Sequence, residues 1–211
     1  MDTIKQTIDI LIFENINLLD VAGPAQAFHV ANRFSPSSYR LRFISIDGNP
    51  ITTSCGLKLV ADSRASLKSG AQSLVIPGGR GVDTMVGDKK LKQLIQHWLE
   101  SRPDGRLISI CSGALLLANA GVLDGKSATT HWSREHQAKS RYPQVNWCLN
   151  SLYMQSCGIF SSAGVTAGID LAVSIVRSDC GIKIALNVAR ELVVYLQRAG
   201  GQSQYLSLIH I

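Results

Sequence analysis

Leu107-Ile108-Ser109-Ile110-Cys111-Ser112-Gly113-Ala114 is the stretch on which the fold turns. Arg106 to Ile110 is short, apolar and rich in isoleucine, the pattern of a buried strand. It runs without a spacer into Cys111, and Gly113 to Ala120 then reads as a helix of small residues and leucines. Strand, sharp turn and helix in immediate succession make a nucleophile elbow. Its turn is strained, and its flanks must be small so that neighbouring backbone can pass. Ser109 and Gly113, two residues either side of Cys111, meet that need.

Working outward, the same strand–helix alternation holds through about residue 120. Ile8 to Phe13 is a β-branched apolar run, and Ala25 to Phe34 reads as a helix opened by Gly23-Pro24. Tyr39 to Ile46 is strand-like and stops at Asp47-Gly48-Asn49-Pro50. Ser73 to Ile76 is a strand closed by Pro77-Gly78-Gly79. Leu91 to Leu99 has helical spacing, with Leu91, Leu94, Ile95, Trp98 and Leu99 on one face. A short strand pair is expected within Leu152–Phe160, then helices over about 164–178 and 183–196. Alternating elements of this kind predict an α/β fold, a mostly parallel sheet with helices on both faces. With 211 residues, no repeat and no low-complexity stretch, one domain is the simplest account.

Bulk properties narrow the function classes. Hydrophobic residues make up 45% and charged residues 17%, an ordinary globular composition. No apolar run is long enough to cross a bilayer, and Met1-Asp2-Thr3-Ile4-Lys5 lacks the layout of a secretory signal, so a cytoplasmic protein without a membrane partner is expected. The five cysteines form no CxxC pair and their number is odd, which argues against a disulfide framework. No metal is expected either: His131 and His136 are five apart, and no cysteine pair completes a tetrahedral set. Lys and Arg are scattered despite a net charge of +6, with Lys89-Lys90 the one adjacent pair, and read as a solvated surface.

Four places carry candidate chemistry. Cys111 at its elbow would lie at a helix N-terminus, where free N–H groups favour a thiolate; the alternative is a small buried hydrophobe. Gly78 and Gly79 follow a strand, and the Gly79 N–H with that of Ser112 would form an oxyanion hole, unless the loop is a plain turn. Asp20, in Leu18-Leu19-Asp20-Val21-Ala22-Gly23-Pro24, is an acid among apolar residues: a proton-handling group or a helix cap. His131, in Ala128-Thr129-Thr130-His131-Trp132, would pair with Cys111 as base, or be a structural histidine.

Taken in order, these segments with Ser162-Ala163-Gly164-Val165-Thr166-Ala167-Gly168-Ile169-Asp170 resemble the DJ-1/PfpI superfamily. Within it they look most like the amidotransferase-like domain of GlxA-type AraC transcriptional regulators. The resemblance runs from Ile8 to about Tyr205. It implies a flavodoxin-like three-layer sandwich over residues 1–197, acting as a homodimer that binds a small effector, amino-acid-like or quaternary-amine-like, and needing no cofactor. Ligand contacts are implied at Asp20, Gly78, Gly79, Cys111, Ser112 and His131. Residues 198–211 would begin a linker to a helix-turn-helix domain absent from this chain, through which alone DNA would be bound, and the last residues are either native or a foreign tail.

The same resemblance bears on catalysis. Amidotransferases place an acid two residues after the histidine, and PfpI-type proteases place a histidine directly after the cysteine. Ser133 and Ser112 stand at those positions here. An incomplete triad leans away from an enzyme. The main alternative is an isonitrile hydratase-like enzyme, with Cys111 as nucleophile and Asp20 moving protons. A redox-sensing, DJ-1-like protein would instead need an easily oxidised Cys111 of low pKa.

Overall fold

A computed structural model describes residues 6–196, 198 and 201–203. The chain runs β1 (Gln6–Leu11), α1 (Leu18–Phe34), β2 (Tyr39–Ser45), β3 (Ile51–Thr52), β4 (Lys58–Leu59), β5 (Ser63–Arg64), β6 (Ser73–Ile76), α2 (Val82–Met85), α3 (Lys89–Glu100), β7 (Arg106–Ile110) and α4 (Gly113–Asn119). It continues through β8 (Ser127–Ala128), a 3-10 turn over Trp132–Arg134, α5 (Glu135–Arg141), β9 (Asn146–Trp147), β10 (Tyr153–Ser156), β11 (Ile159–Ser162), α6 (Ala167–Cys180) and α7 (Ile182–Glu191).

Among the described residues the main sheet has seven strands in the order β10-β11-β7-β6-β1-β2-β5. Every pairing is parallel except β10 with β11. The central strands β6 and β11 are buried along their whole length, which explains their unbroken apolar or small composition: with helices on both faces, neither side of a strand meets water. Helices α1, α6 and α7 pack together against one side, while α3 and α4 pack against β6 and β7 on the other. Ile10, Leu74, Leu107, Phe28 and Trp98 anchor the core between these layers. The expected α/β sandwich is thus the observed one.

Two helices start elsewhere than the sequence suggests. Helix α1 begins at Leu18 and carries Pro24 inside it, because the Asn17 side chain accepts the Leu19 N–H at 3.0 Å and starts the helix two turns earlier. Asp20 therefore lies in a helical first turn and is not the cap. Helix α6 begins at Ala167, because Gly164 and Val165 take positive φ values of 93° and 52° before it. Helix α7 stops at Glu191, and Val193 turns left-handed at φ 55°. By contrast α3 follows its pattern: Asp88 caps it through Lys90 and Leu91 N–H, and Leu91, Leu94, Ile95 and Trp98 are buried.

Candidate functional site

The sheet order brings the carboxyl ends of β11, β7, β6 and β1 side by side. The chain leaves β1 toward β2 on one side and later fills β6 and β7 on the other, so a crevice opens between β1 and β6. Asp20 follows β1, Gly78 and Gly79 follow β6, Cys111 follows β7, and Gly164 follows β11. Topology alone thus gathers groups scattered over most of the sequence.

Cys111 makes the elbow. Its φ of 56° is left-handed, a strained value for a residue with a side chain. The strain is held from several directions. The Cys111 N–H donates to Ser162 O at 3.0 Å, and Thr130 Oγ1 donates to Cys111 O at 2.9 Å. Glycines line the close approaches. A Cβ on Gly78 would stand 2.6 Å from Ser112 N and 2.7 Å from Cys111 Cβ. One on Gly113 would strike the Ile76 carbonyl, and one on Gly164 would overlap Cys111 itself.

Asp20 lies beneath the elbow with no exposed surface. Its Oδ2 accepts the Gly78 N–H at 3.1 Å and its Oδ1 the Val165 N–H at 2.8 Å. The Cys111 side chain is a neighbour of this carboxyl, and the ionisation of each bears on the other. Burial pushes the Asp20 carboxyl above its ordinary range, against the pull of the two amides and the thiol. Burial pushes the Cys111 thiol up much further, and the adjacent Asp20 charge adds to it, outweighing the Ser112 contacts. Burial and the Asp20 charge both favour the neutral thiol over the thiolate. This corrects the expected thiolate: α4 has only seven residues, and its N-terminal field loses to burial and to a neighbouring negative charge.

The oxyanion hole is corrected as well. The Gly79 N–H donates to Ser112 Oγ at 3.0 Å and so is already engaged. His131 makes no hydrogen bond to Cys111. Its Nδ1 accepts the Ser133 hydroxyl at 2.8 Å and the Ser133 N–H at 3.3 Å, capping the 3-10 turn. Burial, with Arg134 nearby, lowers its pKa and keeps the ring neutral. The serine at the position of the amidotransferase acid thus accepts no charge and merely fixes the ring.

Of the six expected ligand-contact residues, Asp20, Gly78, Gly79, Cys111 and Ser112 form one tightly bonded cluster, and His131 stands apart. His131 instead lines a cavity of about 250 Å³ together with Trp132, Gly164, Val165, Arg198 and Gln202. Gly164 is the shared wall, its Cα side against Cys111. The sequence reading missed Thr130, Gly164 and Val165 as site residues, although all three lie in quoted motifs. The signal was a glycine directly after a buried strand, the same signal that marked Gly78.

Arg198 and Gln202 were missed for another reason, having been read as linker. Arg198 Nε donates to Asp170 Oδ2 at 2.9 Å, and the two form an ion pair with Asp170 buried. Gln202 is only 2% exposed. The described part of the segment is docked on the domain, not extended from it; residues 204–211 lie outside the described residues. Among the described residues no helix is long and apolar enough to cross a membrane, and no three His, Cys, Asp or Glu side chains gather as a metal site.

Comparison with known proteins adds four likenesses. A family profile described as DJ-1/PfpI family matches residues 6–178. The HTH-type transcriptional regulator CdhR of Pseudomonas aeruginosa is 28% identical over 187 residues, covering 87% of this chain and 54% of the regulator. The isonitrile hydratase of Pseudomonas putida is 27% identical over 185 residues, covering 88% of this chain and 77% of the enzyme. Among solved structures, an AraC family transcriptional regulator from Pseudomonas putida superposes with a TM-score of 0.80 at 23% identity, covering 89% of this chain and 99% of that one. The chain therefore spans about half the length of the curated regulator it matches.

Proposed function

Since the chain belongs to the DJ-1/PfpI family, we propose that it is the effector-sensing domain of an AraC-type, GlxA-like transcriptional regulator. It binds a small nitrogenous metabolite and, as a homodimer, governs DNA binding by a further domain. The observation that carries this reading is the bonding around Cys111. A protonated thiol, an Asp20 carboxyl already accepting two amides, a Gly79 N–H already donated and a histidine turned to Ser133 are poor equipment for acyl transfer. The same features suit a rigid floor beneath a binding pocket. Similarity to CdhR along nearly all of this chain supports the regulator class.

A thermal-shift screen with the proteinogenic amino acids, choline and glycine betaine tests it. At least one compound raises the melting temperature by several degrees, as ligand present well above its Kd must. The shift persists in Cys111→Ala, because the thiol is floor and not reactant. A flat screen, or a shift that vanishes with the thiol, counts against the reading.

One observation favours an enzyme as second reading: Cys111 and the buried Asp20 carboxyl are neighbours whose ionisations are coupled. In an isonitrile hydratase-like reaction the sulfur bonds to the terminal isonitrile carbon while the Asp20–thiol pair supplies the proton. Water then adds to that carbon, the sulfur leaves with its proton restored, and a formamide results. Formamide formed from a simple alkyl isonitrile, and lost in Cys111→Ala, would establish it in place of the sensor.

A further inference from the structure

We infer that Arg198 and Gln202, from the segment that follows α7, form a removable wall of the His131 cavity, so that docking of this segment and occupation of the cavity are coupled. The bonding of Gln202 carries this. Its Oε1 accepts the Trp132 N–H at 2.9 Å, and its Nε2 donates to Leu149 O at 2.6 Å and Thr130 O at 2.9 Å, with Ser151 O at 3.2 Å. One side chain thereby ties together two backbone stretches, the turn bearing His131 and the 149–151 loop. The backbone follows: the Gln202 and Ser203 N–H groups donate to Asn150 O and Oδ1 at 2.9 and 2.8 Å. Arg198 is held separately by Asp170 on α6.

Leu192, Val194 and Leu196, next to α7, pack against the core, whereas Arg198 and residues 201–203 are held by a few polar bonds, the kind of contact that opens locally. Thr130, which Gln202 engages through its carbonyl, is also the residue whose hydroxyl donates to Cys111 O. The segment thus meets the elbow through one intervening residue. A molecule that touches Arg198 and Gln202 as cavity wall binds only the docked form and so draws the segment in. By linkage, a segment pulled away weakens the molecule's binding by the same factor. The use of this coupling as a signal to a following domain rests on the sensor reading above; the coupling itself does not.

The test needs no ligand. In the full chain, hydrogen exchange is followed at the Trp132 amide and over residues 201–203, and the His131 ring is titrated by NMR, with His131→Gln fixing the assignment. Gln202→Ala, and separately Arg198→Ala, keep the melting transition but speed exchange roughly tenfold at these amides. In both variants the His131 pKa rises toward its ordinary value as water reaches the ring, Arg134 staying in place. Faster exchange with an unmoved His131 titration would show that the segment is not a wall of the cavity. Exchange unchanged in both variants would show that these bonds do not hold it, and either outcome overturns the inference. A flat metabolite screen alongside a positive result here removes the sensor reading and leaves the wall intact.

Discussion

Asp20→Ala lowers the unfolding free energy by about 3 kcal/mol in urea denaturation, because it leaves the buried Gly78 N–H and the half-buried Val165 N–H without an acceptor. Part of the loss is offset, since the buried carboxyl carries its own desolvation cost. Asp20→Asn keeps one acceptor oxygen and loses less. The two variants also separate by pH. In the folded chain the Asp20 carboxyl is held above its unfolded value, so the proton it retains favours the fold. That contribution is fully present below the unfolded carboxyl pKa and is lost as pH rises through the folded one. Asp20→Asn abolishes it, so the stability difference between wild type and Asp20→Asn narrows as pH rises across the window opened by the shift. A pH-independent difference would show that Asp20 is not held above its ordinary range.

Gly164→Ala costs at least about 3 kcal/mol, the range of overpacked, strained core sites. Two effects combine. The backbone at φ 93° penalises any side chain, and the added methyl would occupy space already taken by Cys111. Gly125 separates them: its φ is 72°, but nothing stands within 4 Å of an added Cβ. Gly125→Ala therefore reports backbone strain alone, about 1–2 kcal/mol. Adding Cys111→Ala to Gly164→Ala gives little relief, since Cys111 Cα and Cβ, which remain, are part of the clash. Equal losses at Gly164 and Gly125 would mean that the elbow has room the structure denies it.

Much of the fold was legible because its central strands are buried on both faces and read as plain apolar runs. The elbow was legible because its sterics demand small flanks, and Gly113 meets the Ile76 carbonyl as that logic requires. What escaped was set by contacts distant in sequence. Asn17 starts α1 through a side-chain bond, and the Gly23-Pro24 pair, normally a boundary, disguised it. Cys111 looked like a thiolate because a helix follows it. Only the three-dimensional proximity of Asp20 and the depth of burial reverse that, and neither has a local signature. Gln202 sits in a glycine-rich stretch with linker composition, and its partners lie some 50 to 70 residues away.

The state of Cys111 remains the hinge between a sensing floor and a catalytic nucleophile. Its alkylation by iodoacetamide, followed by peptide mass spectrometry across pH, reads that state directly. Cys55 serves as the internal reference, since it is exposed and the Thr53 hydroxyl holds its thiol below the ordinary value. The expected result is that Cys55 reacts first, while Cys111 is nearly inert at neutral pH and its rate still climbs at strongly alkaline pH. Asp20→Asn, by removing the adjacent charge, moves the Cys111 curve to lower pH. A Cys111 rate that outruns Cys55 and reaches its plateau near neutrality would reveal a resting thiolate, and would contradict the account.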